Sequence, residues 1–107
     1  MRALRDKVRG DNRYAMRVDL RFPATLREVG TSFKFTVDVV DLSMTGFRCE
    51  TVSRVTVGQH VSVTIPGLAP LEGQVAWVDG CRFGCKFEKA LHVAVFDHIA
   101  SQFKAQR

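Results

Sequence analysis

A mainly β fold is predicted: about six short strands in a small closed or sandwiched structure, one C-terminal helix and a basic N-terminal arm. Three observations carry the prediction. Short stretches of alternating apolar and polar residues fill the middle of the chain, separated by turn residues. The apolar period lengthens from two to about four near Leu91. The excess positive charge all lies in the first quarter of the chain, residues 1–27.

Taken in order, residues 24–29 form a short strand after Pro23, and Gly30-Thr31-Ser32 is a turn. Residues 33–41 alternate, with Phe33, Phe35, Val37 and Val39 on one face and Lys34, Thr36 and Asp38 on the other. A polar corner follows, then a strand over residues 47–52. Residues 61–65 alternate and stop at Pro66-Gly67. Residues 71–78 lead into Asp79-Gly80, a favoured two-residue hairpin turn, and residues 83–87 return. Trp77 has apolar strand neighbours, which predicts core packing. Leu91, Val95, Ile99 and Phe103, with Phe96 beside them, mark an amphipathic helix that covers one end or face of the β-structure.

A chain of 107 residues with 46% apolar content is one domain with a real core. No apolar run approaches the roughly eighteen residues of a membrane span. Arg and Lys interrupt the N-terminal residues, so no signal-peptide core forms and a cytoplasmic location is expected. Residues 1–27 hold seven Arg and one Lys against three Asp, which equals the net charge of +5 of the whole chain. An anionic partner or a solvated arm accounts for such a gradient. Residues 1–12 are expected to be a flexible basic segment, and residues 13–107 the domain. Cys49, Cys81 and Cys85 are odd in number and lack metal-ligand spacing, so small buried hydrophobes are expected, without a disulfide framework or a metal. His60, His92 and His98 have no nucleophile partner, and no paired carboxylates or phosphate-cradling loop occur, so no enzymatic chemistry is expected.

The stretch Val39-Val40-Asp41-Leu42-Ser43-Met44-Thr45-Gly46-Phe47 carries the chemistry. Asp41 and Ser43 stand two apart, so in extended chain they share a side. A carboxylate and a hydroxyl on one side can read a planar partner with several donors, and the side chains of Arg17 and Asp41 are expected near the surface. Gly46 closes the corner, either by taking positive φ or by letting a ligand come close. Upstream, Arg13 and Arg17 are four residues apart, and their planar forks suit phosphate oxygens and guanine edges. Arg5/Arg9, Arg9/Arg13 and Arg17/Arg21 have the same spacing, so spacing alone leaves the choice of pair open.

RxxxR at Arg13 and Arg17, followed by DxSxxG at Asp41, Ser43 and Gly46, resembles the PilZ domain, a bacterial receptor module for cyclic di-GMP. Gly73-Gln74-Val75-Ala76-Trp77 and Gly84-Cys85-Lys86-Phe87 strengthen the resemblance, which spans about residues 11–103. In the family the second Arg stands a short distance before the proline that opens the first strand. The resemblance therefore implies the pair Arg13 and Arg17, ahead of Pro23, among the four with this spacing, with Arg9 and Arg21 as auxiliaries. Asn12 stands where the family often has a further Arg. The resemblance implies a six-stranded antiparallel barrel with a C-terminal helix. It also implies a cyclic di-GMP site at Arg13, Arg17, Asp41, Ser43 and Gly46, and no cofactor. Signalling would pass to an effector protein controlling motility, exopolysaccharide or virulence. Two other classes stand beside it. One is a basic β-barrel binding single-stranded nucleic acid, for which one Trp and one Tyr make a thin stacking platform. The other is a PilZ-fold adaptor that binds proteins and no nucleotide.

Overall fold

The computed structural model describes residues 16–104. The strands are β1 (Val18–Glu28), β2 (Lys34–Leu42), β3 (Gly46–Glu50), β4 (His60–Thr64), β5 (Leu71–Asp79) and β6 (Arg82–Phe87). One helix, α1 (Val93–Phe103), follows. The sheet order is β1-β2-β3-β6-β5-β4, and β4 pairs back to β1, so the barrel is closed. Every ladder is antiparallel. Closure removes the free edges that strands of this length would otherwise offer for pairing.

Period-two patterning drives the assembly. Leu20, Phe22, Ala24 and Leu26 of β1 and Phe35, Val37 and Val39 of β2 are buried. Their neighbours Arg21, Pro23, Thr25, Lys34, Thr36 and Asp38 face outward. The inward residues join Phe47, Val61, Val63, Val75 and Phe83 in one core.

β1 starts well before the expected residue 24. Its alternation extends back through Phe22 and Leu20, whose burial outweighs the interruption at Pro23. Pro23 is paired alongside β2, but the β4 ladder begins only at Thr25. That edge-like setting is where a strand tolerates proline. Phe33, expected on the buried face, is instead 49% exposed. It precedes β2, in the β1–β2 turn, and leans on Phe35 with ring centroids 5.5 Å apart. The β5–β6 turn is one residue later than expected. Asp79 pairs with Arg82, leaving Gly80-Cys81 as the loop with positive φ only at Gly80. This places Gly first, as type II′ turns require.

α1 buries Phe96 and Ile99. It packs on β1, where Phe103 stacks on Phe22 with centroids 4.3 Å apart. Its N-cap is His92, whose Nδ1 accepts from the Ala94 amide at 3.0 Å. No helix among the described residues is long and apolar enough to cross a membrane.

Cys49 and Cys85 are buried as expected, whereas Cys81 is exposed because it sits in the β5–β6 turn. Burial pushes the Cys85 thiol up to about 12 and the Cys49 thiol higher still. Only thiolate attacks a thiol reagent, so in the native protein at mildly alkaline pH Cys81 alone should be modified rapidly. Labelling followed by peptide mapping should find Cys49 and Cys85 modified only after denaturation.

Glycine at position 46 answers a packing demand. Its φ is not positive, and a Cβ there would collide with the Cys85 carbonyl on β6. The obstacle is backbone, which cannot swing aside. Gly46→Ala should therefore destabilise the barrel by about 1–3 kcal/mol in a denaturant titration.

Candidate ligand-binding site

The corner between β2 and β3 is built by Ser43. Leu42 and Phe47 form the last cross-strand pair before the loop. The Ser43 amide donates to the Gly46 carbonyl at 2.8 Å. The Ser43 hydroxyl accepts from the Thr45 and Gly46 amides, each at 3.2 Å. A serine that bonds its own loop this way fixes the turn from within. Next, the corner is tied to the chain ahead of α1. Phe87 donates its amide to the Thr45 carbonyl at 2.8 Å, and Leu91 donates to the Met44 carbonyl at 2.7 Å.

Asp41, expected near the surface, is only 2% exposed, as is Ser43. For Ser43 the cause is the bonding just described. For Asp41 it is two arginines. Arg17 Nη1 donates to Asp41 Oδ1 at 3.2 Å. Arg48 donates to Asp41 Oδ2 through both Nε and Nη2. A carboxylate this deeply desolvated needs paired donors, and here it has three N–H groups. The bond from Arg48 to Asp41 is also the main reason that the Arg48 guanidinium is held more firmly protonated than usual.

The local backbone explains this convergence. The β1–β2 register shifts between Asp19 and Phe22, and the β2–β3 register shifts between Val39 and Asp41. Each shift inserts an extra residue, and such bulges re-aim side chains beside binding sites. After them, Asp41 lies opposite Asp19 on one side and Arg48 on the other.

Arg48 was not anticipated from the sequence. A signal existed: if Leu42 and Phe47 close the loop, the next pair must be Asp41 and Arg48. The row then continues sideways, because Arg48 pairs with Gly84 and Gly84 with Trp77. Trp77, expected in the core, is 37% exposed, and its indole lies where a Cβ on Gly84 would be. The β5 register shift between Val75 and Trp77 turns it out of the core.

Arg21 lies on the outer face of β1 and reaches toward other acids. It stands 3.8 Å from Asp38 and 3.6 Å from Glu50. Glu50 is bound more closely by Arg82, at 2.8 Å, and this contact chiefly holds its carboxyl below the usual range. Arg9, Arg13 and the segment 1–12 lie outside the described residues. The structure thus brings together Arg17, Asp41, Ser43 and Gly46, with Arg48 and Trp77 added. Side chains of Arg17 and Arg48 are 48% and 41% exposed, so donors not spent on Asp41 face solvent. Outward guanidinium forks beside an exposed indole suit an anion that carries flat rings. Among the described residues, no group of three or more His, Cys, Asp and Glu is placed to hold a metal.

A search of curated proteins gives no match to this chain. The family model for the PilZ domain matches residues 11–103, which is nearly all of it. That span contains both motifs, the whole barrel and α1. The chain therefore belongs to the PilZ domain family.

Proposed function

We propose that this protein is a cyclic di-GMP receptor that signals to a partner protein in the bacterial cytoplasm and performs no catalysis of its own. The observation that supports this most is the ion pair between Arg17 and Asp41. It joins the second Arg of RxxxR to the first residue of DxSxxG, although 24 positions separate them in the chain.

The burial of Asp41 shapes the mechanism. Its carboxylate is 3% exposed and shielded by Arg17, so guanine reaches it only when Arg17 moves. Arg48 stays on Oδ2 in this scheme. Oδ1 passes from Arg17 to the N1–H and N2–H₂ donors of guanine. Arg17, once released, takes a phosphate or the O6/N7 edge. One charge-assisted contact is exchanged for two, without a buried charge being stranded. Ser43 and Gly46 act through the corner that they hold rigid. Trp77 offers a face for a purine. Arg13, four residues before Arg17, contributes a further fork to the phosphates. Binding then alters the surface around Arg17 and Arg48, which an effector reads.

Exposed arginines beside an indole also suit single-stranded nucleic acid. Calorimetric titration with cyclic di-GMP, GMP, cyclic di-AMP and a short RNA separates the two. Cyclic di-GMP should bind far more tightly than the others. RNA binding with a steep salt dependence, and no heat with cyclic di-GMP, would replace the receptor assignment.

Substitutions should divide by burial. Arg17→Ala and Arg48→Ala should each weaken cyclic di-GMP binding by about 2 kcal/mol, roughly 30-fold. Arg17→Ala, which removes one 3.2 Å contact of a half-exposed side chain, should cost little stability in thermal melts. Arg48→Ala strips two of the three donors from the buried Asp41 carboxylate and should lower stability by about 1–3 kcal/mol. Asp41→Ala should weaken binding and also lower stability by about 1–3 kcal/mol, because it strips the counter-charge from both arginines. Arg13→Ala should reduce affinity clearly more than Arg5→Ala, which tests the chosen RxxxR register in the same titration.

A further inference from the structure

Arg17 and Arg21 are also four residues apart. Arg17 immediately precedes β1, Arg21 lies within it, and both are exposed. Val18, Leu20 and Phe22, between and after them, are buried or part-buried, so the two arginines share the outer face with Asp19. Along an extended strand four residues span on the order of 13 Å, within reach of two long side chains on one dinucleotide. The arginines around Asp41 and Arg21 have different settings. Arg48 is fixed on Asp41 by two N–H groups against a buried carboxylate. Arg21 is 58% exposed and faces Asp38 and Glu50 only at 3.8 and 3.6 Å. Glu50 has its own close partner in Arg82, so it loses little if Arg21 leaves. Long, exposed pairs of this kind are weak and easily exchanged, whereas a phosphate offers Arg a short forked contact.

We infer that Asp38 and Glu50 withhold Arg21 from the ligand site, so that Arg21 is a reserve phosphate-binding residue whose recruitment these two acids oppose. The inference rests on the cyclic di-GMP assignment above. Asp38 and Glu50 then set affinity without touching the ligand. They raise the threshold for binding, because every ligand phosphate that engages Arg21 must displace it from both carboxylates. The pairing register sets the two acids side by side. Asp38 is opposite Glu50 in the β2–β3 ladder, and Glu50 is opposite Arg82 in the β3–β6 ladder.

A double-mutant cycle read by calorimetry with cyclic di-GMP at one salt concentration tests this. Asp38→Asn/Glu50→Gln releases Arg21. Glu28→Gln/Glu72→Gln removes the same charge in the region where β1 and β5 pair with β4, and serves as control. The release variant should bind about two- to fivefold more tightly than wild type, and the control should change affinity by less than about twofold. In an Arg21→Ala background the gain from Asp38→Asn/Glu50→Gln should vanish. An equal gain without Arg21 would show that the acids act only through their field on an anionic ligand, and would overturn the inference. Weaker binding by the release variant would also overturn it, by showing that the acids hold Arg21 in a productive position. Absence of binding by the wild-type chain would overturn the receptor assignment itself, and this inference with it. Circular dichroism of each variant verifies that the barrel is intact.

Discussion

The Asp41 carboxylate governs this site because it is almost fully buried and has a cationic partner on each oxygen. A desolvated carboxylate without donors would cost several kcal/mol, so the surrounding strands must deliver cations to it. They do so through two register shifts, one in β1–β2 and one in β2–β3, on either side of the same residue. Arg17 and Arg48 arrive from different parts of the barrel and are positioned by one anion. The result is a pair of half-exposed guanidinium groups whose approach to each other is permitted by the charge between them.

Rigidity comes from the corner rather than from the arginines. The Ser43 hydroxyl bonds to the amides of Thr45 and Gly46, and Gly46 lets β3 lie tightly against β6. The carbonyls of Met44 and Thr45 then accept from Leu91 and Phe87, which lead into α1. The other end of α1 rests on β1 through Phe103 and Phe22. The strand that follows Arg17 and the corner that follows Asp41 are therefore tied to the same helix or to the chain leading into it. Local geometry at the site and the seating of α1 are parts of one packed unit.

Charge is graded across the outer surface. Pairing at Asp41 is tight for Arg48, which donates twice to one buried oxygen, and pairing at Arg21 is loose, at 3.8 and 3.6 Å from its two acids. The difference follows from burial and reach. Buried partners make short forked contacts, and exposed ones keep water as a competitor. Weak surface ion pairs add little to stability, yet beside an anion site they can determine which cations are free to serve it.

The class of the fold was legible in the chain alone. Alternating stretches with turn residues between them read directly as strands, since burial on one face imposes period two wherever the backbone is extended. The four-residue recurrence from Leu91 to Phe103 read as a covering helix for the same reason at a different period. The spaced Arg pair and the Asp-Ser-Gly corner led to the PilZ family, whose model matches residues 11–103. Register and exposure needed the assembled barrel. Bulges are single-residue insertions in a pairing, and one strand's sequence does not announce its partner's alignment. Hence Arg48 opposite Asp41, the outward indole of Trp77 and the burial of Asp41 became visible only with the ladders in place. Gly46 illustrates the same division at one position. Its importance was legible, but the reason was the Cys85 carbonyl on β6, brought against it by barrel closure from 39 residues away.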